Sequence, residues 1–168
     1  MITIRTATRA DIAAIDALLA RSYPRLLKAD YPPSVLVTAI PRISRAQPGL
    51  VTSGTYYVAV DDARIVGAGG WTATAPAGGG ILPGRANVRH VVTDDRMVRR
   101  GIGRALMTHV FEAAATAGMT WMHCLSTRTA VPFYAALGFD AIGDTTVPLG
   151  PGVDFPAVAM RRDLQPVT

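Results

Sequence analysis

Several residue types are nearly missing from this 168-residue chain, and each scarcity removes a class of explanation. Cys124 is the only cysteine, so no internal disulfide can form and a reducing cytoplasm is the expected location. No apolar run reaches 18 residues, and residues 1–11 lack the long apolar centre of a signal peptide, so no membrane partner is expected. Histidine, cysteine and carboxylates never cluster at metal-ligand spacing, so no metal is expected either. Glu112 is the only glutamate, and its place in mid-helix reads as surface. Lys28 is the only lysine among 17 basic residues, in a chain of net charge +5. The arginines are scattered, pairing only at Arg99-Arg100 and Arg161-Arg162 without interleaved aromatics, a pattern that gives no nucleic-acid footprint.

What is present suits one domain over residues 1–168, with 49% hydrophobic residues to fill a core. Alternation at 2–5 predicts a strand, and Ile12, Ile15, Leu18 and Leu19 predict a helix after Asp11. A second helical segment is expected over 34–40, ended by Pro41. Residues 55–60 and 64–74 form a predicted hairpin, with Gly67, Gly69 and Gly70 marking a bulge or the close approach of another backbone. The glycine- and proline-rich run 75–85 reads as a mobile connection. Strands at 88–93, 120–126, 139–146 and 153–162 alternate with helices after Gly101 and at 130–137. Pro148 and Pro156 confine the last hairpin to sheet edges or bulges. This order fits a mixed sheet flanked by helices.

The chain is organised around residues 88–118. An apolar strand runs into the charged turn Asp94-Asp95-Arg96-Met97-Val98-Arg99-Arg100, and Gly101 and Gly103 open a helix. Ile102, Leu106, Val110, Ala113 and Ala117 share one face of it, and Gly118 stands where a C-cap belongs. No Ser, Thr, Asp or Asn caps its start, where two arginines and two glycines stand instead. Free N–H groups, the positive end of the helix dipole and neighbouring guanidinium groups make an anion site. The dinucleotide fingerprint is excluded because Leu106 occupies its third glycine position and no acid lies about 20 residues further on. The phosphate loop of nucleotide triphosphatases is absent.

These residues resemble the pyrophosphate loop of the GNAT superfamily of N-acetyltransferases, whose pattern is [QR]-x-x-G-x-[GA]. Arg99, Arg100, Gly101, Ile102 and Gly103 match its body, Arg104 continues it, and Val98 stands at its first position. Residues 127–139 are similar to the same superfamily's N-x-x-A-x-x-x-Y-x-x-x-G-F: Ala130, Tyr134, Gly138 and Phe139 match, while Thr127 replaces the asparagine. The resemblance implies an α+β fold with a mixed, mostly antiparallel central sheet flanked by helices. It implies acetyl-CoA as cosubstrate, with Val91, Val92 and Thr93 pairing with the pantetheine amides. Val98 to Arg104 would hold the pyrophosphate, and Thr127 would stand beside the pantetheine arm. Tyr134 would be the general acid for the leaving thiolate, a role a phenol of pKa about 10 can fill for a thiol of about 8.5.

An acceptor amine needs a base, and His90 and His123 flank the implied site on two strands. Tyr23, Tyr31 and Trp71 are candidates for the acceptor pocket by the same resemblance. Cys124 reads as a buried strand residue rather than a nucleophile. The partners expected are a small-molecule or peptide amine and, for assembly, a second copy in a homodimer. Two functions stay open: an enzyme transferring acetyl to an amine, and a non-catalytic acyl-CoA-binding or sensing module. Tyr134 favours the first, since a pure binder needs no leaving-group acid.

Overall fold

A computed structural model describes residues 1–166, the side chain of Ala77 excepted. Within them, β1 (Ile2–Thr6), β2 (Tyr56–Asp61), β3 (Arg64–Thr72), β4 (Arg85–Thr93), β5 (Trp121–Ser126), β6 (Asp140–Gly150) and β7 (Val153–Asp163) form one sheet in the order β1-β2-β3-β4-β5-β7-β6. Every neighbouring pair is antiparallel except β4 and β5. The helices are α1 (Ile12–Leu27), α2 (Pro33–Ile43), α3 (Pro48–Val51), α4 (Ile102–Thr116) and α5 (Val131–Ala136). This is the expected α+β architecture.

The two sheet faces bury different helices. On one, Ile15, Leu18 and Leu19 of α1 pack on Tyr56, Val58, Ala68 and Val92. On the other, Leu106, Met107, Val110 and Ala114 of α4 pack on Tyr57, Trp71, Ala86 and Met122. The buried stripe of α4 is therefore rotated from the one read in the sequence. Gly103, Met107 and Ala114 belong to it, while Ala113 is half-buried and Ala117 is exposed at the helix end. Before α1, Asp11 takes a two-pronged ion pair from Arg5 (2.8 and 2.9 Å) and accepts the Thr8 amide (2.8 Å). The Arg5 hydrogen bonds hold its carboxyl down at about 2.

Several expected boundaries shift for identifiable reasons. α2 continues through Pro41, which near a helix end removes little more than one exposed backbone bond. β4 begins at Arg85 rather than at 88, because Arg85 and Ala86 already pair with Trp121 and Met122. The segment before it is tied by the Thr74–Ile81 bridge and an Ala75 N–H to Gly80 carbonyl bond of 2.8 Å. β6 and β7 run on to a turn of only Pro151 and Gly152. Pro148 lies in the edge strand, and Pro156 lies beyond the reach of β5, whose last partner on β7 is Val158. Both prolines thus avoid the interior ladder. The β3 glycines do admit a neighbour: a Cβ on Gly70 would overlap the Thr55 carbonyl, and the β3–β4 register slips at the same place.

Candidate active site

The parallel pairing of β4 with β5 stops after three residue pairs, the last being Asn87 with His123. Past that point the strands separate, and a cavity of about 1040 Å³ opens between them. Val88 to Thr93 line one wall and Cys124 to Thr127 the other. The cause lies at His90, a non-glycine residue with φ +53°, which bulges β4 as its register with β3 slips by a residue. Two phenols hold the bulge. Tyr56 donates to the His90 carbonyl (2.7 Å) and Tyr23, from α1, donates to the Val91 carbonyl (3.0 Å).

β4 leads directly into the loop before α4. Asp94 is buried, accepts the Arg96 amide (2.9 Å) and forms ion pairs with Arg21 (2.8 Å) and Arg96 (3.2 Å). Burial pushes its carboxyl up, but the Arg96 hydrogen bonds and the two guanidinium charges outweigh that and leave it below the ordinary value. Asp95 pairs with Arg25 at 3.3 Å. The loop is thus clamped to α1, and these acids hold structure.

Arg99 (φ +64°) and Gly101 (φ +77°) then turn the chain left-handed into the helix. The first returning bond runs from the Ala105 amide to the Gly101 carbonyl (3.0 Å), so the amides of Ile102, Gly103 and Arg104 have no partner within the helix. Arg99, Arg100 and Arg104 are exposed and form no ion pair among the described residues. Val98, Arg99, Gly101 to Arg104 and Phe133 line the cavity; Arg100 does not. Gly103 serves packing: a Cβ there would lie 2.7 Å from Phe133 Cε1.

Tyr134 lies on α5, buried and lining the same cavity beside Cys124. Burial above all, with the Cys124 thiol next, holds its phenol well above the usual tyrosine pKa. Burial also pushes the Cys124 thiol up to about 12, which removes it as a nucleophile at neutral pH. Thr127 Oγ1 accepts the Ala130 amide at 3.2 Å, fixing the start of α5 at the cavity wall. Thr129 Oγ1, also on the wall, is buried without a hydrogen-bond partner.

The two histidines separate. His90 lines the cavity, and its Nε2 lies 2.7 Å from the Ile43 carbonyl. A carbonyl can only accept, so Nε2 carries the proton and Nδ1 is left as the basic nitrogen. Burial lowers its pKa, the Ile43 bond opposes this, and Arg89 lowers it further. His123 is not on the cavity wall. It sits against Trp121 (ring centroids 6.4 Å apart), in the field of Arg85 and Arg161, because strand alternation turns it away from Cys124.

Tyr31 and Trp71 correct the expected acceptor pocket, since neither lines the cavity. Tyr31 is a buried strut that donates to the Pro156 carbonyl (2.7 Å), accepts the Arg128 amide (2.8 Å) and stacks on Phe155. Trp71 faces the α4 side of the sheet, in the core with Tyr57 and Leu106. Tyr23 does line the cavity. Arg89 and Phe133 were missed; nothing in the sequence distinguished Arg89 from the other scattered arginines.

Among the described residues no helix is long and apolar enough to cross a membrane, and no three potential ligands gather around a metal-sized site. Residues 52–141 match the family described as the acetyltransferase (GNAT) domain. No curated protein matches the sequence. Among solved structures, the chain is similar to a GCN5-related N-acetyltransferase from Rhodopseudomonas palustris (TM-score 0.78, 20% identity, 96% of this chain and 95% of that one). It is also similar to the PaiA N-acetyltransferase from Thermoplasma acidophilum in complex with coenzyme A (TM-score 0.67, 13% identity, 97% and 99%). A third is the ribosomal-protein-S18-alanine N-acetyltransferase from Escherichia coli (TM-score 0.64, 17% identity, 100% and 97%). At these identities the likeness is one of fold.

Proposed function

The chain belongs to the GNAT acetyltransferase family and is an acetyl-CoA-dependent acetyltransferase; from that premise we propose that it transfers the acetyl group directly to an amine held in the β4–β5 cleft. The observation that carries this reading is the continuity of the unpaired β4 edge with the amide-rich start of α4. An extended pantetheine arm can add to such an edge as a strand would. Val91, Val92 and Thr93 offer backbone groups along it, and one of their N–H groups would polarise the thioester carbonyl. The amides of Ile102, Gly103 and Arg104, with Arg99 and Arg100 nearby, suit a pyrophosphate by charge and by free donors.

Bound acetyl-CoA supplies a thioester whose carbonyl carbon accepts the amine, with the C–S bond then breaking. His90 Nδ1 takes the proton from the attacking nitrogen, with Nε2 anchored on Ile43 to fix the tautomer. Tyr134 returns a proton to the departing sulfur. Its raised pKa keeps it a neutral donor throughout the physiological range, and the same burial raises the basicity of the thiolate it faces. Thr127 holds α5, and with it Tyr134, against the cavity. A cytoplasmic location belongs to the same reading, supported by the single buried cysteine.

The test has two arms. Acetyl-CoA at about 100 times its Kd should stabilise the fold by about 2.7 kcal/mol, and thiol release should depend on an added amine. Stabilisation without amine-dependent release across a broad panel would make the protein a binder rather than an enzyme.

A further inference from the structure

We infer that the acceptor amine also carries a carboxylate, as an amino acid does, and that Arg89 is the residue that recognises it. The inference rests on the acetyl-transfer reading above and concerns the other end of the same cavity. Arg89 lies on β4 four residues before Thr93, about 13 Å along the strand at roughly 3.3 Å per residue, so it is remote from the pyrophosphate loop. It adjoins His90, and both line the cavity. Its guanidinium is half-buried, held by Thr72 Oγ1 (3.0 Å) and Gln47 Oε1 (3.4 Å), both neutral. No carboxylate pairs with it among the described residues. A half-buried cation without a counter-ion is uncommon, because neutral hydrogen-bond acceptors offset only part of its desolvation. Burial accordingly depresses its pKa.

The rest of the wall points the same way. Among its described residues there is no Asp or Glu, and besides Arg99 and Arg104 a further guanidinium, Arg42, lines it with its Nε on the Leu149 carbonyl (3.1 Å). Such a wall repels a polyamine or an aminoglycoside and attracts an anion. A guanidinium fork matches a carboxylate with two parallel bonds. Leu27, Val147, Leu149 and Phe155 pack in one apolar cluster with Ile43, the partner of His90, and line the cavity, which suits an amino acid with an apolar side chain. A carboxylate on Arg89 would set the adjacent amine next to the His90 ring, the base that must deprotonate it.

The experiment pairs each of a set of apolar amino acids with its amide, and adds spermidine as a polycation. The free acids should exceed their amides in kcat/KM by about 10²-fold, mostly through KM. Arg89→Met should reduce that ratio to near one while leaving acetyl-CoA affinity unchanged, which also certifies the fold; Arg89→Lys should restore part of it. Amides turned over as well as acids, or spermidine preferred, would overturn the carboxylate inference and leave acetyl transfer standing. A second readout needs no turnover: calorimetric binding of N-acetyl amino acids and their amides in the presence of CoA. Carboxylate-dependent binding that disappears in Arg89→Met supports Arg89 even if no tested amine reacts. Equal binding of acid and amide overturns it whatever the turnover.

Discussion

Gly103 and Phe133 occupy each other's space: a Cβ on the glycine would stand 2.7 Å from Cε1 and 2.9 Å from Cζ of the ring. Contact at this distance forces the ring or the helix to move. Gly103→Val should therefore cost about 1–3 kcal/mol by overpacking and weaken acetyl-CoA binding, since Phe133 forms part of the cavity wall. Phe133→Ala in the same chain should return part of the lost stability, and a double-mutant cycle on thermal or urea unfolding measures the coupling. Additive effects would show that the two do not compete. Gly101 provides the contrast. Open space surrounds its Cβ position, but its φ of +77° suits glycine. Gly101→Ala should cost about 1 kcal/mol of backbone strain and leave the ring undisturbed.

The Asp94 clamp makes a prediction about acid stability. With its folded pKa below the ordinary carboxylate value, Asp94 contributes stability that is present above about pH 4. That contribution is lost as pH falls through the lower folded value. Asp94→Asn should flatten this limb of the unfolding profile and cost about 1.5–3 kcal/mol at neutral pH, the usual worth of hydrogen bonds to an ionised group. An unchanged profile would remove the Arg21–Asp94–Arg96 group from the account of acid stability.

The sequence revealed these features unevenly, for physical reasons. The start of α4 was legible because it is a local object: glycines at fixed spacing and a helix that begins without a side-chain cap. The α+β order was legible because strand and helix periods differ. The roles of Tyr31 and Trp71 were not, because an aromatic gives the same sequence signal whether it faces core or cavity. Trp71 lies on the far face of the sheet, and Tyr31 spends its hydroxyl on Pro156 and Arg128. His90 and His123 looked equivalent until the +53° φ at His90 broke the alternation of β4 and left His123 on an ordinary strand. Arg89 was hidden for another reason. What sets it apart is that no described acid lines the cleft around it, which depends on every element of the wall.

For His90 the direction of the pH dependence follows from its surroundings. Burial, with Arg89 assisting, lowers its pKa from 6.5, so the neutral base persists to lower pH than for a free imidazole. The acid limb of kcat/KM should accordingly fall below pH 6.5, and His90→Gln, which can still donate to the Ile43 carbonyl, should lose that limb along with most turnover. The same shift gives a stability contribution present above pH 6.5 and lost as pH falls through the folded value, because the unfolded chain takes up the proton first. A limb that survives in the variant would transfer the base to water or to the acceptor itself.

Tyr134 separates an enzyme from a binder. Phenylalanine keeps the ring that packs edge-on to Phe133 and Phe139 (centroids 5.1 and 5.3 Å away) and removes only the hydroxyl. A positioned general acid is worth about 10²–10⁴-fold, so Tyr134→Phe should lower kcat by that factor. Stability should fall by no more than about 1 kcal/mol, the net value of one hydrogen bond. Acetyl-CoA affinity should hold, because in the proposed binding mode the amides and arginines at the start of α4 would supply most of it. Turnover with a competent amine and calorimetric affinity, measured on one preparation, read the two effects separately. Full turnover would strike Tyr134 from the mechanism, and affinity lost in proportion to turnover would make it a binding residue. A further control uses the leaving group. An acetyl thioester of a more acidic thiol needs less protonation as it departs, so it should narrow the gap between wild type and Tyr134→Phe, and an equal deficit with both thioesters would argue against proton donation as the role of the phenol.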